Sequence, residues 1–406
     1  MTRSTRRTDS GITRIALAGG IAAVVAVGGL GVLLLTGSHG PLAGVVGPSP
    51  TPAPTVGIAL AGARGETVPW SRPLTLSVTD GTITSVQAAS ADGRPLDGTL
   101  TPQRWTSAGT LVPGTTYTLH ARIRDLDGRT SSLDRTVRAA AATEVLHATL
   151  SPAGGVFGVG QAVIVRFDQK VKGAEARRAV QERLSVTTVP SAPGAWRWYN
   201  SFEVHYRGPA YWRSGTRITV HADLSGLRVP GTDVWGSPTA ATRSFSIGDA
   251  FIGTVDVTAH KMTVTRNGKV IRVMNVSTGR DKYPTKGGVH VVLVREKEHL
   301  YNSATVGIPT ASPDGYYEKL PWSVRISNGG AFVHANPATV RFQGRLNVSH
   351  GCVNMSVADA QWFYENSHLG DIVNVIHAAI GPVLSDAGMS DWNYTWAQWQ
   401  QGNLDG

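Results

Sequence analysis

The 406-residue sequence predicts a mostly β protein, built as two related β-sandwiches followed by a third strand-rich domain. Short alternating runs, such as residues 74–78 and 163–167, are separated by turns rich in Asp and Gly. The 47 glycines, 22 prolines and 16% charged residues argue against a coiled coil or a helical bundle. Residues 114–121 recur in similar form as residues 215–222, an offset of 101 positions that suits two sandwiches of about 100 residues.

The first element in the chain is a predicted membrane anchor. Residues 1–14 carry four arginines against one aspartate, and the 22 residues from 15 to 36 carry no charge. Such a stretch spans roughly 33 Å as a helix, enough for one bilayer crossing, and the positive-inside rule places the arginines in the cytoplasm. We therefore predict an uncleaved single-pass anchor, with a cleaved signal peptide as the alternative. The proline-rich residues 37–56 predict an extended linker on the outer side of the membrane.

The predicted domain boundaries follow the changes in pattern. The sandwiches are predicted at residues 57–143 and 144–249, the third domain at 250–378 and a tryptophan-rich subdomain at 379–406. His120 and His221 occupy the same position in the two repeated segments, so we predict that both are structural.

Local signals place further elements in the last two domains. Residues 266–269, Arg-Asn-Gly-Lys, predict a hairpin turn, and Ser356 followed by Asp359 predicts the start of a helix over residues 357–367. Three tryptophans with the spacing of one helical face predict a short C-terminal helix that packs back onto the domain: Trp392, Trp396 and Trp399.

Charge and cysteine content narrow the functional classes. The formal charge is +10, but no dense Lys/Arg run with interleaved aromatic residues is present, so nucleic acid is not expected as a partner. The diffuse positive charge suits an anionic polymer or a membrane surface. Cys352 is the only cysteine, which excludes an intramolecular disulfide and an all-cysteine zinc site. It is a buried inert thiol, part of an intermolecular disulfide, or a lone nucleophile.

The surroundings of the cysteine favour a nucleophile. Cys352 lies in residues 349–354, Ser-His-Gly-Cys-Val-Asn, downstream of His334 at the end of an apolar strand. A nucleophilic cysteine needs a base, which His334 could supply from a sheet edge, and a positive environment that favours the thiolate. We expect the N–H groups of a Gly-containing turn and the positive end of the following helix to supply that environment. Two alternatives remain: an inert thiol, and a metal site formed by His334, His350 and Cys352.

The pattern of His334 followed by residues 349–354 resembles the signature of the L,D-transpeptidases, the YkuD-type catalytic domain. Residues 284–288 resemble the family's Pro-Thr-Gly region, and residues 314–316 its tyrosine-bearing loop. The order of anchor, linker, two sandwiches, catalytic domain and Trp-rich tail is similar to that of mycobacterial and other actinobacterial members. The resemblance implies two immunoglobulin-like β-sandwiches followed by a β-rich YkuD-type domain with one main helix.

The resemblance also implies an activity on peptidoglycan. The Cys352 thiolate would attack the third residue, usually meso-diaminopimelate, of a tetrapeptide donor stem, releasing D-alanine and leaving a thioester. A side-chain amine of an acceptor stem would then complete a 3→3 cross-link, and carbapenem-type β-lactams would acylate the same cysteine. No cofactor or metal is implied. The implied location is the cell membrane, with a cytoplasmic N-terminus and the catalytic domain on the cell-wall side.

The family's site residues carry over by position. His334 would be the general base that also protonates the leaving amine. The Gly351 and Cys352 N–H groups with the Tyr316 hydroxyl would form the oxyanion pocket. Further positions would shape the substrate cleft and its turn: His350, Asn354 and Ser349.

Three positions depart from close relatives. Ala335 stands where some relatives have a serine after the base histidine. In those relatives the serine orients the histidine through its backbone carbonyl, which alanine also has, so little effect on the base is expected. Val306 replaces an aromatic residue of the lid and Ala338 a tryptophan, which predicts a changed grip on the substrate.

Two other functions remain open at this point. An L,D-carboxypeptidase or D-amino-acid exchange enzyme would form the same thioester and transfer it to water or to a free D-amino acid. A non-catalytic scaffold would bind the cell wall through the sandwiches and keep a vestigial site.

Overall fold

The computed structural model describes residues 56–386, 388 and 390–405. Strands make up most of the regular structure in these residues, which confirms the predicted fold class. The anchor predicted at residues 15–36, and all but the last residue of the predicted linker, lie outside the described residues. Among the described helices, none is both long and apolar enough to cross a membrane.

The first sandwich is formed by two four-stranded sheets. Its strands are β1 (Gly57–Leu60), β2 (Thr67–Val68), β3 (Pro73–Thr79), β4 (Gly81–Ser90), β5 (Gly98–Thr101), β6 (Arg104–Thr110), β7 (Thr116–Asp125) and β8 (Thr130–Ala139). The sheet orders are β1-β3-β6-β5 and β2-β8-β7-β4. Alternate residues of β7, including Leu119 and Ile123, fill the core between the sheets, because successive side chains of a strand point to opposite faces.

The second sandwich repeats this plan with additional short elements. It contains β9 (Val145–Leu146), β10 (Ala148–Ser151), β11 (Val156–Phe157), β12 (Val163–Phe167), α1 (Ala174–Gln181), β13 (Leu184–Val189), β14 (Ala195–Asn200), β15 (Glu203–Arg207), β16 (Arg217–Ala222), β17 (Trp235–Gly236) and β18 (Ala241–Ile247). Its main sheets have the orders β10-β12-β15-β14 and β11-β18-β16-β13, and β17 pairs with β9.

The repeated segments lie on β7 and β16. His120 Nδ1 lies 2.5 Å from Asp134 on β8, and His221 Nδ1 lies 2.8 Å from Thr242 Oγ1 on β18. Each histidine thus contacts a side chain of a neighbouring strand in its sheet, and their structural role stays a prediction.

The third domain places two sheets against one helix. Its elements are β19 (Phe251–Asp256), β20 (Lys261–Arg266), β21 (Lys269–Asn275), β22 (Gly288–Val291), β23 (Val294–Asn302), β24 (Tyr317–Arg325), β25 (Phe332–Ala335), β26 (Val353–Met355), α2 (Val357–Asn366) and β27 (Ile372–Ile376), with 3-10 helices at Ser303–Val306 and Pro337–Phe342. The sheet orders are β21-β20-β19-β27-β22 and β23-β24-β25-β26. The strand that carries His334, β25, is therefore an interior strand and not the sheet edge that the sequence suggested.

The structure confirms the predicted hairpin turn and the predicted helix cap of this domain. Asn267 (φ 49°) and Gly268 (φ 80°) form the two-residue turn between β20 and β21, where positive φ angles match the twist of a hairpin. Ser356 Oγ accepts a hydrogen bond from the Asp359 N–H at 3.1 Å and caps α2.

The tryptophan-rich tail forms two short helices where one was predicted: α3 (Ser390–Asn393) and α4 (Trp396–Gln400). Thr395 starts the second, since its side chain caps α4 in a capping box with Gln398. The tail contacts the second sandwich, because Trp392 Nε1 donates to the Gly160 carbonyl at 2.7 Å and Trp399 Nε1 to the Ala195 carbonyl at 2.8 Å.

The second sandwich and the third domain share an apolar core. Ile372 of β27 is fully buried among the core residues of the second sandwich. The Gly158 N–H donates to the Leu369 carbonyl at 2.8 Å, and a Cβ on Gly158 would lie 2.2 Å from the Asp371 nitrogen. Such close backbone approach needs glycine, so the sequence at this position is dictated by the contact between the two domains.

Candidate active site

The candidate site lies on one face of the β23-β24-β25-β26 sheet. Strands β25 and β26 are parallel, with Val333 opposite Val353 and His334 opposite Asn354. Val333 and Val353 are buried in the domain core. Because side chains alternate along a strand, the other face carries His334 and, two positions before Asn354, Cys352.

A cavity of about 200 Å³ opens on this face. It is lined by Tyr301, Tyr316, Glu318, Leu320, His334, Asn336, Thr339, Val348, Ser349, His350, Cys352 and Asn354. Every site residue expected from the sequence is in this set except Gly351. The tertiary structure therefore brings together residues that are up to 53 positions apart in the sequence, from Tyr301 to Asn354.

His334 is held as a neutral imidazole. Its side chain is 3% exposed, and Nδ1 lies 2.9 Å from the Ala335 carbonyl. Since a carbonyl only accepts, Nδ1 carries the proton and Nε2 keeps its lone pair. Burial, helped by the nearby His299 and opposed by the hydrogen bond to Ala335, lowers the pKa of His334 to about 4. The side chain is therefore available as a base at neutral pH.

Cys352 is held as a neutral thiol. Its Sγ lies 3.8 Å from the Gly330 carbonyl. Burial raises the pKa of Cys352 to about 11, and the Phe332 N–H and Arg325 lower it only in part. The thiol must therefore lose its proton during attack.

The expected thiolate-stabilising helix end is not at the cysteine. Strand β26 separates Cys352 from α2, which begins at Val357, so the helix N-terminus is one strand away from the sulfur. The prediction of a positive environment at the helix end was wrong, because the residues after the cysteine pair with β25 before the helix starts.

The turn before the cysteine is closed by Ser349. Its Oγ accepts from the Gly351 N–H at 3.0 Å and donates to the Cys352 carbonyl at 2.6 Å. The Gly351 N–H is thus occupied, in contrast to its expected place in an oxyanion pocket. The Cys352 N–H has no hydrogen-bond partner among the described residues. Gly351 has a φ of 116°, which other residues rarely adopt.

Thr285 supports the turn from behind. Its Oγ1 donates to the Gly351 carbonyl at 2.9 Å and accepts from the Gly279 N–H at 2.8 Å, and its side chain is buried. The sequence singled out residues 284–288 only as a resemblance and assigned Thr285 no role. The structure links this threonine directly to the cysteine-bearing turn.

Two aromatic side chains line the cavity opposite the sheet. The rings of Tyr316 and His350 are 5.0 Å apart. Burial raises the pKa of Tyr316 to about 12, helped by Cys352 and Glu318, so the hydroxyl is a proton donor at neutral pH. This hydroxyl has no hydrogen-bond partner within the part of the chain that the structure describes. It could therefore stabilise an oxyanion.

The loop that carries Tyr316 is tied to the protein by Asp314. Its carboxylate pairs with Arg280 and with Lys282 Nζ at 2.5 Å, and it accepts from Tyr283 Oη at 3.0 Å. Arg280 Nη2 also lies 2.8 Å from His350 Nε2. One basic side chain therefore connects the loop to the cysteine-bearing turn.

Asn354 offers a free acceptor at the cavity. Its Nδ2 donates to Thr339 Oγ1 at 3.3 Å, while Oδ1 is buried without a partner in the described residues. A buried carbonyl oxygen without a partner is costly, so a substrate N–H is a natural partner for it.

Of the two lid positions that differ from close relatives, Val306 lies next to the cysteine-bearing part of the site. Val306 ends the 3-10 helix at Ser303–Val306, and a Cβ on Gly330 would lie 2.9 Å from Val306 Cγ1. The lid thus packs on the residue whose carbonyl contacts the cysteine. Ala338 lies in the other 3-10 helix, Pro337–Phe342.

Comparisons with known proteins agree with this geometry. A family model for the bacterial Ig domain matches residues 65–228, and one for the L,D-transpeptidase catalytic domain matches residues 251–375. The chain is 36% identical to L,D-transpeptidase 2 of Mycobacterium tuberculosis over 355 residues, covering 84% of this chain and 83% of the relative. The chain belongs to the L,D-transpeptidase family.

Further relatives support the same assignment. The chain is 35% identical to L,D-transpeptidase 1 of Mycobacterium tuberculosis over 230 residues, covering 56% of this chain and 84% of the relative. A solved structure of an L,D-transpeptidase in complex with imipenem matches with a TM-score of 0.50 at 34% identity, covering 57% of this chain and 99% of that chain. The resemblance seen in the sequence is confirmed, and the protein is an L,D-transpeptidase enzyme.

Sequence reasoning missed six residues of this L,D-transpeptidase's cavity: Tyr301, Glu318, Leu320, Asn336, Thr339 and Val348. Glu318 and Leu320 alternate along β24 directly after Tyr316, and this alternation was a usable signal for both of them. Among the described residues, no group of three or more His, Cys, Asp or Glu side chains is arranged to hold a metal ion.

Proposed function

We propose that this L,D-transpeptidase forms 3→3 cross-links between peptidoglycan stems through a thioester on Cys352. The observation that carries the proposal is the shared cavity of Cys352, His334 and Tyr316 on one face of a sheet. A base with a free lone pair, a thiol and an unpaired hydroxyl donor are the parts that acyl transfer needs.

In the acylation step, Sγ attacks the carbonyl carbon of the donor's third stem residue while the thiol proton passes to His334 Nε2. The oxyanion accepts from the Cys352 N–H and the Tyr316 hydroxyl. When the C–N bond breaks, the imidazolium gives its proton to the departing D-alanine amine. Coupling proton transfer to attack suits a pair that is neutral at rest.

In the second step, an amine of an acceptor stem attacks the thioester and the sulfur leaves. The unpaired Asn354 Oδ1 accepts an N–H of the bound peptide, and His350 contributes to the wall of the cleft. Ser349 and Gly351 shape the turn that presents the sulfur.

The proposal places the enzyme at the outer face of the cell membrane. Its basis is the uncharged stretch at residues 15–36 after a basic segment, followed by a proline-rich linker. The sandwiches would then set the distance of the catalytic domain from the bilayer.

The test uses the nucleophile itself. Wild-type protein incubated with disaccharide-tetrapeptide is expected to give dimer and free D-alanine, and Cys352→Ala to give neither. Equal dimer from the variant would contradict the proposal. His221→Ala, on the surface of the second sandwich, is the matched histidine control for His334→Ala, since only the latter should lose activity.

A covalent inhibitor tests the site independently. Because a related L,D-transpeptidase has been solved with imipenem, we expect imipenem to add its mass to the intact wild-type protein and not to Cys352→Ala. An unmodified, folded wild-type protein would count against the nucleophile.

Product analysis separates cross-linking from hydrolysis and exchange. With an acceptor stem present, dimer should exceed free tripeptide. If tripeptide or a D-amino-acid exchange product prevails, the enzyme is a carboxypeptidase or an exchange enzyme.

A further inference from the structure

The cavity contains one charged side chain, that of Glu318, which has no role in the proposed acylation. Glu318 lies on β24 directly opposite Tyr301 of β23, and both line the cavity. It is the only carboxylate among the described lining residues, and none of those residues is a lysine or an arginine.

Glu318 has no ion-pair or hydrogen-bond partner among the described residues. Its neighbour in the chain, Lys319, pairs instead with Glu298 at 2.9 Å on the other face of the same hairpin. Glu318 is close enough to Tyr316 to raise the pKa of that hydroxyl, and burial raises the pKa of its own carboxyl group. The side chain is exposed at the cavity wall, where a carboxylate without a cation partner favours a cationic ligand.

We infer that Glu318 binds the ammonium group of the acceptor stem and takes one proton from it before the amine attacks the thioester. This inference rests on the proposed function and adds to it a residue for the second half of the reaction. The ligand class is a peptide that carries a primary side-chain amine.

The chemistry of the step requires such a residue. An acceptor amine with an ordinary pKa of about 10 is an ammonium at neutral pH and has no lone pair for attack. Where the bound acceptor excludes water from Glu318, the neutral pair of carboxylic acid and amine gains on the ion pair, because loss of hydration penalises both charges.

The atoms balance as follows. The ammonium gives one proton to Glu318, its nitrogen bonds to the thioester carbon, and the C–S bond breaks with its electron pair on Sγ. The second nitrogen proton passes through His334 Nε2 to Sγ and regenerates the Cys352 thiol. Glu318 then releases its proton to solvent at the cavity mouth, so that the net products are an amide, a thiol and one proton.

The other titratable groups on the cavity wall are Tyr301, Tyr316, His334, His350 and Cys352. Burial raises the pKa of both tyrosines and of the thiol, and lowers the pKa of both histidines. None of these groups is therefore anionic at neutral pH, and Glu318 is the one that can bind a cation there.

The experiment compares Glu318→Gln with wild type in the two half-reactions. Imipenem acylation, followed by intact mass, is expected to stay within about threefold. Dimer formation from disaccharide-tetrapeptide should lose about 10- to 100-fold in kcat/KM for the acceptor, the size of one hydrogen bond to a charged group. The pH optimum of dimer formation should also move up toward the amine's own pKa, and Glu318→Asp should recover part of the rate.

Glu298→Gln is the matched control, because it removes one negative charge from the opposite face of the same hairpin and should leave both half-reactions unchanged. If Glu318→Gln keeps the acceptor kcat/KM and pH optimum of wild type, the inference is overturned. An equal loss in acylation and dimer formation would overturn it as well. If wild type itself forms neither adduct nor dimer, the proposed function fails, and the inference fails with it.

Discussion

At the scale of single residues, burial determines the chemistry of Cys352 and His334. The same desolvation that raises the pKa of the thiol to about 11 lowers that of the imidazole to about 4. Both groups are neutral over the whole physiological range. The site therefore differs from a cysteine enzyme that rests as a thiolate–imidazolium pair.

This protonation state predicts a flat pH profile for acylation. The rate of imipenem adduct formation should vary by less than about twofold between pH 5.5 and 9, because neither partner titrates there, and should fall near pH 4 as His334 becomes protonated. Stopped-flow or quenched mass measurements check this. A bell-shaped profile centred near neutrality would mean that an ion pair reacts.

Removing the Thr285 hydroxyl should lower both the stability of the protein and its acylation rate. Thr285→Val removes the hydrogen bonds to the Gly351 carbonyl and from the Gly279 N–H, and should lower the free energy of unfolding by about 1–3 kcal/mol. The acylation rate should fall about tenfold, since the cysteine-bearing turn loses its support. Urea unfolding and adduct kinetics measure the two effects. Thr285→Ser, which keeps the hydroxyl, should stay close to wild type.

At the scale of elements, alternation along four strands builds one catalytic face. The positive φ of Trp322 (56°) interrupts β24, and the pairing with β23 skips this residue. Ser323, beyond this residue, accepts from Tyr301 Oη at 2.9 Å, and Leu320, before it, lines the cavity, while the register with β23 stays the same on both sides. No single-strand pattern carries this information.

The loop that carries Tyr316 should loosen when its ionic contacts are removed. Asp314→Ala deletes the acceptor of Arg280, Lys282 and Tyr283. The backbone amides of residues 303–316 should then exchange hydrogen faster, as hydrogen exchange with mass spectrometry can show. Asp281→Ala, an exposed carboxylate in the neighbouring loop, is the control. Unchanged exchange in Asp314→Ala would mean that packing alone holds the loop.

At the scale of the whole molecule, the tail joins the second sandwich through a buried charged cluster. His205 of β15 lies 2.8 Å from Asp391 of α3 and 2.7 Å from Glu203. Arg207 stacks on Trp392 and Trp399 at 4.8 and 4.5 Å. Together with the core shared at Ile372, these contacts make the second sandwich part of the support of the catalytic domain.

The His205 cluster predicts a pH dependence of stability. Burial alone would lower the pKa of His205, but Asp391 and Glu203 raise it to about 9. Because this folded-state pKa lies above the unfolded value of about 6.5, the contribution is complete below pH 6.5 and is lost as the pH rises through 9. It amounts to about 3 kcal/mol. Urea unfolding at pH 6 and pH 9.5 should show this difference in wild type, and His205→Gln should remove it.

The sequence alone determined the fold class and the family, and it predicted Cys352 as the nucleophile and His334 as its base. These depend on local signals: alternation, the Asn267-Gly268 turn, the Ser356 cap, and the short segment around Cys352. Local conformational preferences and nearest-neighbour hydrogen bonds act within a few residues, so they can be read directly from the chain.

Only the tertiary structure decided the protonation of the site, the occupied Gly351 N–H, the place of Glu318 in the cavity and the docking of the tail on the second sandwich. Each of these depends on side chains that are far apart in sequence. Cys352 packs against residues of three strands and a loop, and the histidine that pairs with Asp391 lies 186 positions earlier in the chain. Desolvation and long-range pairing are properties of the assembled chain, and no local pattern encodes them.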